Sequence, residues 1–446
     1  MTGKYRAYPE YTNSGIAWFG SVPRHWRPLR FKNALIEKRK TLNDTLFAGS
    51  ISFGNVIYKK IDISEDTKSS YQELLSGEFL VNPLNLNYDL ISLRTALSSI
   101  NVVVSTGYMI LLSNGRLSKN YIRWLLHEFD VAHMKTLGAG VRQTINYSDI
   151  GNSFFLEPTR EEQESIANFL DYESAKIDTL IEKQQQLIAL LKEKRQAVIS
   201  HAVTKGLNPT AQMKDSGVEW LGNVPETWRI IQIRRVLPVM EQGKSPECEN
   251  RPAEVEEWGV LKTSCVNQAL YDSEANKALP SNIQPFQQFE VTSGDVLMSR
   301  ASGSVDLIGS VAYVYESRPR ILLSDKIFRL QLCSSVNRIF FTYLMQSSYM
   351  RAHIQVSISG AEGMANNITK SAVLGFRFAL PPMAEQEAII SLLAKRVDVI
   401  SDLIRRAESA ICLMQERRTA LISAAVTGKL DVRDWVAPKQ EATEGT

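Results

Sequence analysis

The sequence predicts a mixed α/β (α+β) protein in which two related modules of short strands and helices alternate with two long helices. Three observations predict this fold class. A head motif occurs twice, a longer tail motif follows it twice, and each tail has apolar residues at helical spacing. The segments between head and tail read as short strands punctuated by turns, which is typical of mixed modules.

The composition is that of an ordinary globular protein. The chain has 446 residues, of which 44% are hydrophobic and 22% charged, enough for two or three domains. With 51 basic and 48 acidic residues the net charge is only +3, which excludes a protein that coats nucleic acid indiscriminately.

No apolar run reaches the roughly 18 residues of a membrane span, and the first residues lack a signal-peptide core. We therefore expect a cytoplasmic protein without a membrane partner.

Two repeated motifs organise the chain. The head motif occupies residues 11–35 and 213–237, which align without a gap and share nine of 25 positions. The tail motif occupies residues 158–207 and 381–430 and shares 20 of 50 positions. The offset is 202 for the heads and 223 for the tails, so the second copy has 21 more residues between its motifs.

These repeats predict five parts. They are a first module at 1–157 (head 11–35, variable segment 36–139), a long helix at 158–207, a second module at 208–380 (head 213–237, variable segment 238–362), a second long helix at 381–430, and a polar tail at 431–446. In the variable segments we expect strands within 48–58, 101–112, 291–299 and 308–315. Short helices are expected at 119–135 and 338–353.

Each tail is expected to be one helix of about 45 residues, roughly 65 Å long. Pro158 and the acidic run after it suit a helix start, and Gly206 and Gly428 stand where helices end. The apolar residues form one stripe on each helix, suited to packing against another helix. The predicted helix seam is Ile166, Leu170, Ile177, Leu180, Leu187, Leu191 and Val198 in the first copy, and Ile389, Leu393, Ile400, Leu403, Met414 and Leu421 in the second.

The sequence offers no catalytic constellation. Gly243-Lys244-Ser245 resembles the end of a phosphate-binding loop, but position 238 is Pro where that loop needs glycine. Asn82-Pro83 is followed by Leu-Asn and not by the Pro and aromatic residue of an adenine-methylating site. The histidines have no metal-ligand spacing, and the four cysteines are expected to be free thiols. We therefore predict no catalytic residue, no metal and no cofactor in this chain, which is not an enzyme by itself.

The heads SGIAWFGSVPRHW and SGVEWLGNVPETW, and tails ending RQAVISHAVTKGL and RRTALISAAVTGKL, resemble the specificity subunit of type I restriction–modification systems. The resemblance covers about residues 11–435. It implies that each variable segment is a target recognition domain reading one half of a split site in double-stranded DNA. It also implies that the tail helices pack as a spacer and dock two modification subunits, which bring S-adenosylmethionine and methylate adenine. Restriction subunits with ATP and Mg then join for translocation and cleavage.

A twofold argument agrees with this interpretation. DNA strands are related by a dyad perpendicular to the helix axis. If one such dyad relates the two modules, the long helices run antiparallel as a coiled coil with internal pseudo-twofold symmetry. Helix length then sets the spacing of the half-sites, and four inserted residues would change the preferred spacer by about one or two base pairs.

Base-reading residues should differ between the modules and lie on loops, with Arg and Lys suited to guanine and Asn and Gln to adenine. A turn-forming Asn or a solvated Arg is the alternative at each position. The DNA-binding candidates are Asn82, Asn85, Asn87, Arg94, Arg142 and Gln143 in the first module, and Lys262, Thr263, Ser264, Asn267, Arg300, Ser302, Asn366 and Asn367 in the second.

A basic stretch in each head is a candidate phosphate-binding patch, with an ordinary solvated face as the alternative. Its members are Arg24, Arg27, Arg30, Lys32, Lys38, Arg39 and Lys40, with Arg234 and Arg235 in the second head. Trp18, Trp26, Trp220 and Trp228 recur in both heads. Shared residues cannot discriminate two different half-sites, so we interpret them as packing anchors.

Two other functions remain open. A duplicated coiled-coil scaffold could assemble partners without direct DNA readout, and footprint protection of a split site distinguishes it from a DNA-recognition subunit. A self-sufficient nuclease or methyltransferase would need a catalytic motif that the sequence lacks.

The near-neutral charge favours weak DNA affinity until partners encircle the duplex.

Overall fold

The structure is a computed structural model that describes residues 6–43, 45–52, 54–60, 63–84, 93–137, 144–358 and 366–438. The chain forms two compact units. Unit 1 comprises Met1–Gln184 and Ser409–Thr446, and unit 2 comprises Gln185–Glu408. Within the described ranges, no helix is long and apolar enough to cross a membrane. The five-part division made from the sequence stays a prediction, because the compact units instead cut each long helix into halves.

Unit 1 contains twelve described strands and, with the start of the first long helix, four described helices. The strands are β1 (Tyr11–Asn13), β2 (Ser21–Pro23), β3 (Arg27–Arg30), β4 (Leu35–Glu37), β5 (Gly49–Ser52), β6 (Asn55–Tyr58), β7 (Gln72–Leu74), β8 (Phe79–Val81), β9 (Thr95–Leu97), β10 (Val102–Val104), β11 (Met109–Ser113) and β12 (Phe154–Glu157). The helices are α1 (Glu65–Ser69), α2 (Lys119–Ala132), α3 (Tyr147–Asn152) and α4 (Arg160–Lys205), of which α4 continues into unit 2.

Unit 2 contains eleven described strands and four described helices that begin in it. The strands are β13 (Met213–Asp215), β14 (Asn223–Pro225), β15 (Arg229–Gln232), β16 (Val239–Gln242), β17 (Gly259–Leu261), β18 (Asn276–Ala278), β19 (Val296–Ser299), β20 (Val311–Tyr313), β21 (Ile321–Leu322), β22 (Ile327–Gln331) and β23 (Arg377–Leu380). The helices are α5 (Arg338–Gln346), α6 (Ser348–Val356), α7 (Lys370–Gly375) and α8 (Met383–Val426), of which α8 ends in unit 1.

The two units share one topology. Each has a four-stranded antiparallel sheet, in the order β4-β11-β8-β9 in unit 1 and β16-β22-β19-β20 in unit 2. The head strands also match, because β3 pairs with β12 as β15 pairs with β23. The duplication seen in the sequence is therefore a duplication of fold, and the predicted mixed fold class is confirmed.

The extra length of the second copy lies mainly in one connection. Strands β5 and β6 form an antiparallel pair separated by two residues, and Ala48 beside β5 bridges Val103 of β10 in parallel. Unit 2 repeats this arrangement, since β17 pairs antiparallel with β18 and parallel with β21. Fourteen residues, 262–275, separate β17 from β18. This connection carries four of the DNA-binding candidates.

The predicted long helices are confirmed at 46 and 44 residues. The first turns of α4 pack in the core of unit 1 together with the last turns of α8, through residues such as Ile166, Leu170 and Leu421. In unit 2 the end of α4 packs with the start of α8, through residues such as Val203 and Ile389. The two helices therefore pass through the two units in opposite order, as an antiparallel pair requires.

The predicted seam is wrong in the middle of the helices. Leu180, Leu187 and Leu403 are 42%, 43% and 44% exposed, whereas Ile181 is packed on the core and Ile404 is only 8% exposed. Around Leu180 and Leu403, apolar residues stand both three and four positions after the previous buried residue, Ile177 or Ile400. The sequence pattern fits either choice, and packing selects the one that is four positions away. Residues at both ends of the predicted seam are buried as expected: Ile166, Leu170, Ile177, Ile389, Leu393, Ile400 and Leu421. Leu191, Val198 and Met414 are half-buried.

The Glu-Gln pair repeated at the start of each tail has a structural role. The side-chain oxygen of Gln163 accepts the backbone N–H of Ser118 at 2.9 Å, just before α2. Gln386 accepts the backbone N–H of Asn337 at 2.8 Å, just before α5. The first turn of each long helix thereby satisfies a donor at the start of a module helix, where backbone N–H groups lack intrahelical partners.

The glutamate of the same pair holds the head tryptophan. The Trp228 indole, fully buried, donates to Glu385 at 2.8 Å, and the Trp26 indole lies 3.5 Å from Glu162. His25 also bonds Glu162, at 2.8 Å. Burial tends to raise the pKa of Glu162, but the His25 bond and others outweigh it and lower that pKa. The interpretation of these tryptophans as packing anchors is confirmed.

The other helix and strand predictions hold with shorter bounds, except for one helix. The expected strands at 48–58 and 101–112 are each two strands, β5 with β6 and β10 with β11. The single helix expected at 338–353 is wrong, because α5 and α6 are separated at Ser347. Ser347 has an extended backbone, is fully buried, and donates its hydroxyl to the Leu344 carbonyl. A serine that bonds a preceding carbonyl in this way competes with helix continuation.

Candidate nucleic-acid interface

Both units build the same edge at the end of one inner strand of their four-stranded sheet, β8 in unit 1 and β19 in unit 2. In unit 1, Leu84 after β8 forms an isolated antiparallel bridge with Thr144, shortly before α3. In unit 2, Ala301 after β19 forms the equivalent bridge with Asn367, shortly before α7. Two loops that are far apart in sequence therefore meet in each unit. In unit 2 this brings the candidates Arg300 and Ser302 close to Asn366 and Asn367.

In unit 1 this edge is only partly within the described residues. Asn82 is half-buried, and its side-chain oxygen accepts the Leu84 N–H at 3.1 Å, which is the geometry of a turn. The candidates Asn85, Asn87, Arg142 and Gln143 lie outside the described residues.

The structure contradicts Arg94 as a base contact. Its side chain is 6% exposed, and its Nε donates to Asp130 Oδ1 at 2.8 Å. Its backbone N–H also donates to Asp130, at 2.6 Å. A guanidinium held in a buried ion pair cannot present its donors to a base edge. Arg94 instead fixes the strand β9 to the helix α2.

In unit 2 the same edge carries side chains that remain available. Arg300 is half-buried, and its guanidinium forms no hydrogen bond or ion pair with the described residues. Its backbone N–H donates to the Lys326 carbonyl at 2.8 Å. Ser302 accepts the Ser304 N–H at 3.3 Å, and Asn366 is half-buried next to the bridge. Arg300, Ser302 and Asn366 therefore stay predictions that fit the geometry.

Two buried residues hold the connection at 262–275 on the sheet. It begins with the short 3-10 helix Thr263–Ala269, whose Cys265 and Val266 are fully buried in a cluster with Leu297 of β19. Burial raises the pKa of Cys265 to about 12, so this thiol is inert packing. Among the remaining candidates, Ser264 is exposed, while Lys262, Thr263 and Asn267 are half-buried.

Most members of the predicted phosphate patch are exposed, but several are already paired. Arg24 lies 3.1 Å from Glu10, and Lys32 donates to Asn152 at 3.2 Å. The Arg30 guanidinium lies 5.0 Å from the Phe154 ring centre. The members exposed without such a described partner are Arg27, Arg39, Lys40, Arg234 and Arg235.

Lys38 is a correction. Its side chain is only 13% exposed, and its Nζ lies 2.9 Å from Glu78 and 3.4 Å from Glu73. A hydrogen bond from Asn43 lowers the pKa of Glu73, and this effect together with the hydrogen bond from Lys38 outweighs the rise that burial causes. The Glu73 carboxylate therefore stays charged. A lysine shared by two carboxylates has no charge left for a phosphate. The sequence could not reveal this pairing, because both glutamates lie more than 30 residues away.

No protein-family model matches the chain. The specificity subunit of the type I restriction enzyme EcoEI from Escherichia coli is 28% identical over 247 residues, which are 55% of this chain and 41% of that subunit. The StySPI specificity subunit from Salmonella potsdam is 22% identical over 290 residues, 65% of this chain and 60% of that subunit. The putative MjaX specificity subunit from Methanocaldococcus jannaschii is 23% identical over 93% of this chain and 96% of that subunit. All three of these relatives are named as type I specificity subunits, MjaX as a putative one.

The resemblance predicted from the head and tail motifs is thus confirmed, although the chain spans 41% and 60% of the EcoEI and StySPI subunits. One solved structure matches this chain with a TM-score of 0.65. It comes from a study of the structural basis of complex assembly and conformational transition of the type I R-M system. It is 15% identical, and the match covers 92% of this chain and 99% of that chain. At this identity the likeness supports the fold, with its mixed modules and long helices.

Sequence reasoning missed three residues that the fold brings to the edge of unit 2. Lys277, Ser324 and Lys326 line one cavity together with the candidates Lys262 and Thr263. Lys277 is on β18, whereas Ser324 and Lys326 lie in the turn between β21 and β22, so no spacing in the sequence links the strand to the turn. The only local signal was Ser245, which follows the Gly-Lys pair set aside as a phosphate loop and also lines this cavity.

Proposed function

We propose that this chain is the non-catalytic DNA-recognition subunit of a type I restriction–modification complex. Each unit reads one half of an asymmetric, bipartite target. The observation that carries the proposal is the same loop-to-loop bridge in both units, built from unlike residues, Leu84 with Thr144 and Ala301 with Asn367. A duplicated scaffold with unlike edges is what a protein needs to read two different half-sites. The names of its relatives support the same function.

The long helices are proposed to set the distance between the half-sites. With 46 and 44 residues and about 1.5 Å per residue, each helix is on the order of 65 Å long. Each contributes one end to each unit. A change in helix length should therefore change the length of the unread spacer in the target.

The same helices are proposed to dock two modification subunits, through which restriction subunits join. Several large apolar side chains on them stay exposed, with Leu187, Leu190 and Leu403 between 43% and 62% exposed and Leu413 at 65%. Exposed apolar side chains on a helix favour a protein partner. S-adenosylmethionine, ATP and Mg are expected on those partner subunits, and the isolated chain should transfer no methyl group.

Footprinting tests the DNA-recognition proposal. Methylation mapping across the host genome first identifies the target, and the chain in complex with its modification subunits is then bound to a duplex that carries it. Two protected blocks separated by an unprotected spacer are expected. A duplicated scaffold that only assembles partners would give an assembled complex without protection, and that outcome would refute the proposal.

Arg300→Ala tests base readout within unit 2. We expect methylation to be lost or relaxed at positions of one half-site only, at a cost of about 1–3 kcal/mol in discrimination. The matched control is Arg377→Ala, an exposed arginine on β23 of the same unit. Uniform weakening at both half-sites would mean that Arg300 contacts a phosphate.

A further inference from the structure

Unit 2 has a cavity at the carboxyl ends of two parallel strands. Strands β17 and β21 pair in parallel, and the residues that follow them, Lys262 with Thr263 and Ser324, therefore meet at one edge of the sheet. The cavity holds about 290 Å³, just below the roughly 300–1,000 Å³ of small-ligand sites. Clefts at the carboxyl ends of parallel strands are a common place for ligands.

Three lysines line this cavity: Lys262, Lys277 and Lys326. Lys277 is on β18 directly opposite Val260 of β17, so its place is fixed by the sheet. Lys262 and Lys277 are half-buried, and Lys326 is exposed at the rim. None of the three ammonium groups forms an ion pair or hydrogen bond with the described residues. Unpaired lysines gathered at a cavity favour an anion.

Ser324 is a second, independent observation. It is 4% exposed, and its hydroxyl is buried without a hydrogen-bond partner among the described residues. Leaving a buried hydroxyl unbonded costs about 1–3 kcal/mol. Because Ser324 lines the cavity, a ligand oxygen there would satisfy it.

The acidic residue that follows Ser324 in the sequence is already engaged. Asp325 follows Ser324 and accepts a hydrogen bond from the Ser245 hydroxyl, and its backbone N–H donates to the same oxygen at 3.1 Å. Asp325 itself does not line the cavity, although Ser245 does. The lining thus carries three positive charges and three hydroxyls, from Ser245, Thr263 and Ser324, without a carboxylate among its described residues.

We propose that this cavity binds one phosphate of the DNA backbone beside the half-site that unit 2 reads. The inference rests on the proposed function and adds the contact that fixes the register of that unit on the duplex. Phosphate contacts position a protein, and base contacts specify the sequence. The cavity rim is joined to Arg300, the candidate base reader, through the Lys326 carbonyl at 2.8 Å.

The chemistry of the lining fits a phosphate better than a base. None of the described lining residues is aromatic, and proteins that hold an unpaired base usually stack it on an aromatic ring. The anchor is also specific to unit 2. The connection that supplies Lys262 and Thr263 has fourteen residues there, whereas the corresponding connection in unit 1 has two.

The test compares the salt dependence of DNA binding between variants, using the chain in complex with its modification subunits and a duplex carrying the mapped target. For Lys262→Gln/Lys277→Gln/Lys326→Gln, we expect the slope of log K against log salt to fall by about one, the effect of one lost phosphate contact. A change of one in that slope corresponds to about tenfold in affinity for each tenfold in salt. The loss should be equal on the target and on a duplex with altered half-sites.

A single substitution keeps the test informative if the triple variant folds poorly. Lys326→Gln removes an exposed side chain and should weaken binding in the same sequence-independent way. Its matched control is Lys214→Gln, which removes the same charge from an exposed position on β13 of the same unit and should leave the slope unchanged. Melting curves of all variants establish that they are folded.

The outcomes separate this inference from the function on which it rests. Tight wild-type binding with an unchanged slope in folded variants would overturn the phosphate site and leave the proposed function standing. Absence of wild-type binding to the target would overturn both. If inorganic phosphate raises the melting temperature of the wild-type chain but not of the variant, while DNA binding is equal, the cavity takes a free anion and the assignment to DNA is wrong.

Discussion

The ends of the two long helices offer a matched pair of substitutions, Gly206→Ala and Gly428→Ala. Both glycines have a left-handed backbone, with φ of +73° and +72°, and alanine costs about 1–2 kcal/mol in that conformation. At Gly206 the added methyl would meet the Glu385 carboxylate at 2.9 Å, the flexible end of a side chain, and Trp228 at 3.3 Å. At Gly428 it would meet the ring of Pro23 at 2.4 Å.

The two substitutions should differ in their cost because the atoms that the added methyl group meets differ in mobility. The Glu385 carboxylate is the end of a flexible side chain and can turn, although turning weakens the bond that it accepts from the Trp228 indole. Gly206→Ala should therefore cost the backbone strain of about 1–2 kcal/mol and up to about 1 kcal/mol from the weakened bond. The proline ring cannot turn in this way, and overpacking adds about 1–3 kcal/mol more. We therefore expect Gly428→Ala to destabilise unit 1 by about 2–5 kcal/mol. The Tyr11 hydroxyl, which donates to the Gly428 carbonyl at 3.1 Å, would lose its partner as the backbone shifts.

Hydrogen exchange followed by mass spectrometry measures both effects in one chain. Peptides from residues 19–35 report on unit 1, and peptides from residues 221–237 report on unit 2. Since 1.4 kcal/mol corresponds to about tenfold in an opening equilibrium, Gly428→Ala should accelerate exchange in the first set by at least tenfold. Gly206→Ala should affect the second set, by a smaller factor. Equal effects, or a loss of protection in the opposite unit, would refute the reasoning.

Three further predictions concern the helices and the buried charges. Four residues inserted into each long helix should change the preferred spacer by about one or two base pairs, and methylation mapping that finds the original spacer would contradict the role of helix length. Arg94→Met should cost about 3–5 kcal/mol in urea denaturation, because it leaves Asp130 buried without its cation; a neutral result would mean that the pair is not structural. Burial raises the pKa of Glu128, whose carboxylate accepts the Ser423 hydroxyl at 2.8 Å. The folded state therefore binds this proton more tightly than the unfolded chain, and the wild type loses stability as pH rises from about 4.5 through the raised pKa. Glu128→Gln should remove that loss and be more stable at pH 8 by about 1 kcal/mol, with little difference at pH 4; a difference independent of pH would contradict this sign.

The repeated features of the chain were predictable from its sequence, because each repeat is an internal comparison. Two tryptophans at equivalent head positions indicated packing, and Trp26 and Trp228 are indeed buried. The same comparison located the long helices and their glycine ends. It failed where both copies carry the same ambiguity. Leu180 and Ile181 recur as Leu403 and Ile404, so the repeat could not tell which one faces the core.

The candidate site was less predictable, because its chemistry depends on pairs that are distant in sequence. In the sequence Arg94 looks like any loop arginine, because its partner Asp130 lies 36 residues away. Some of the residues that line the cavity of unit 2 gave no such candidate in the sequence. Lys277 and Ser324 have unremarkable neighbours in the sequence and acquire a shared environment only when β17, β18 and β21 form one sheet.

The assignment of helix halves to units has a consequence for synthesis on the ribosome. Unit 2 is one continuous stretch, Gln185–Glu408, whereas unit 1 needs Ser409–Thr446 in addition to the residues made first. The last turns of α8 fill the core beside Phe169, with Ile422, Ala425 and Val426 almost fully buried. The residues of unit 1 that are translated first therefore cannot complete their core until the end of α8 is made, whereas unit 2 can fold earlier. A premature stop within α8 but after Glu408 would release a protein with a complete second unit and an incomplete first one. If each unit reads one half-site, as proposed, such a protein would engage at most half of a target.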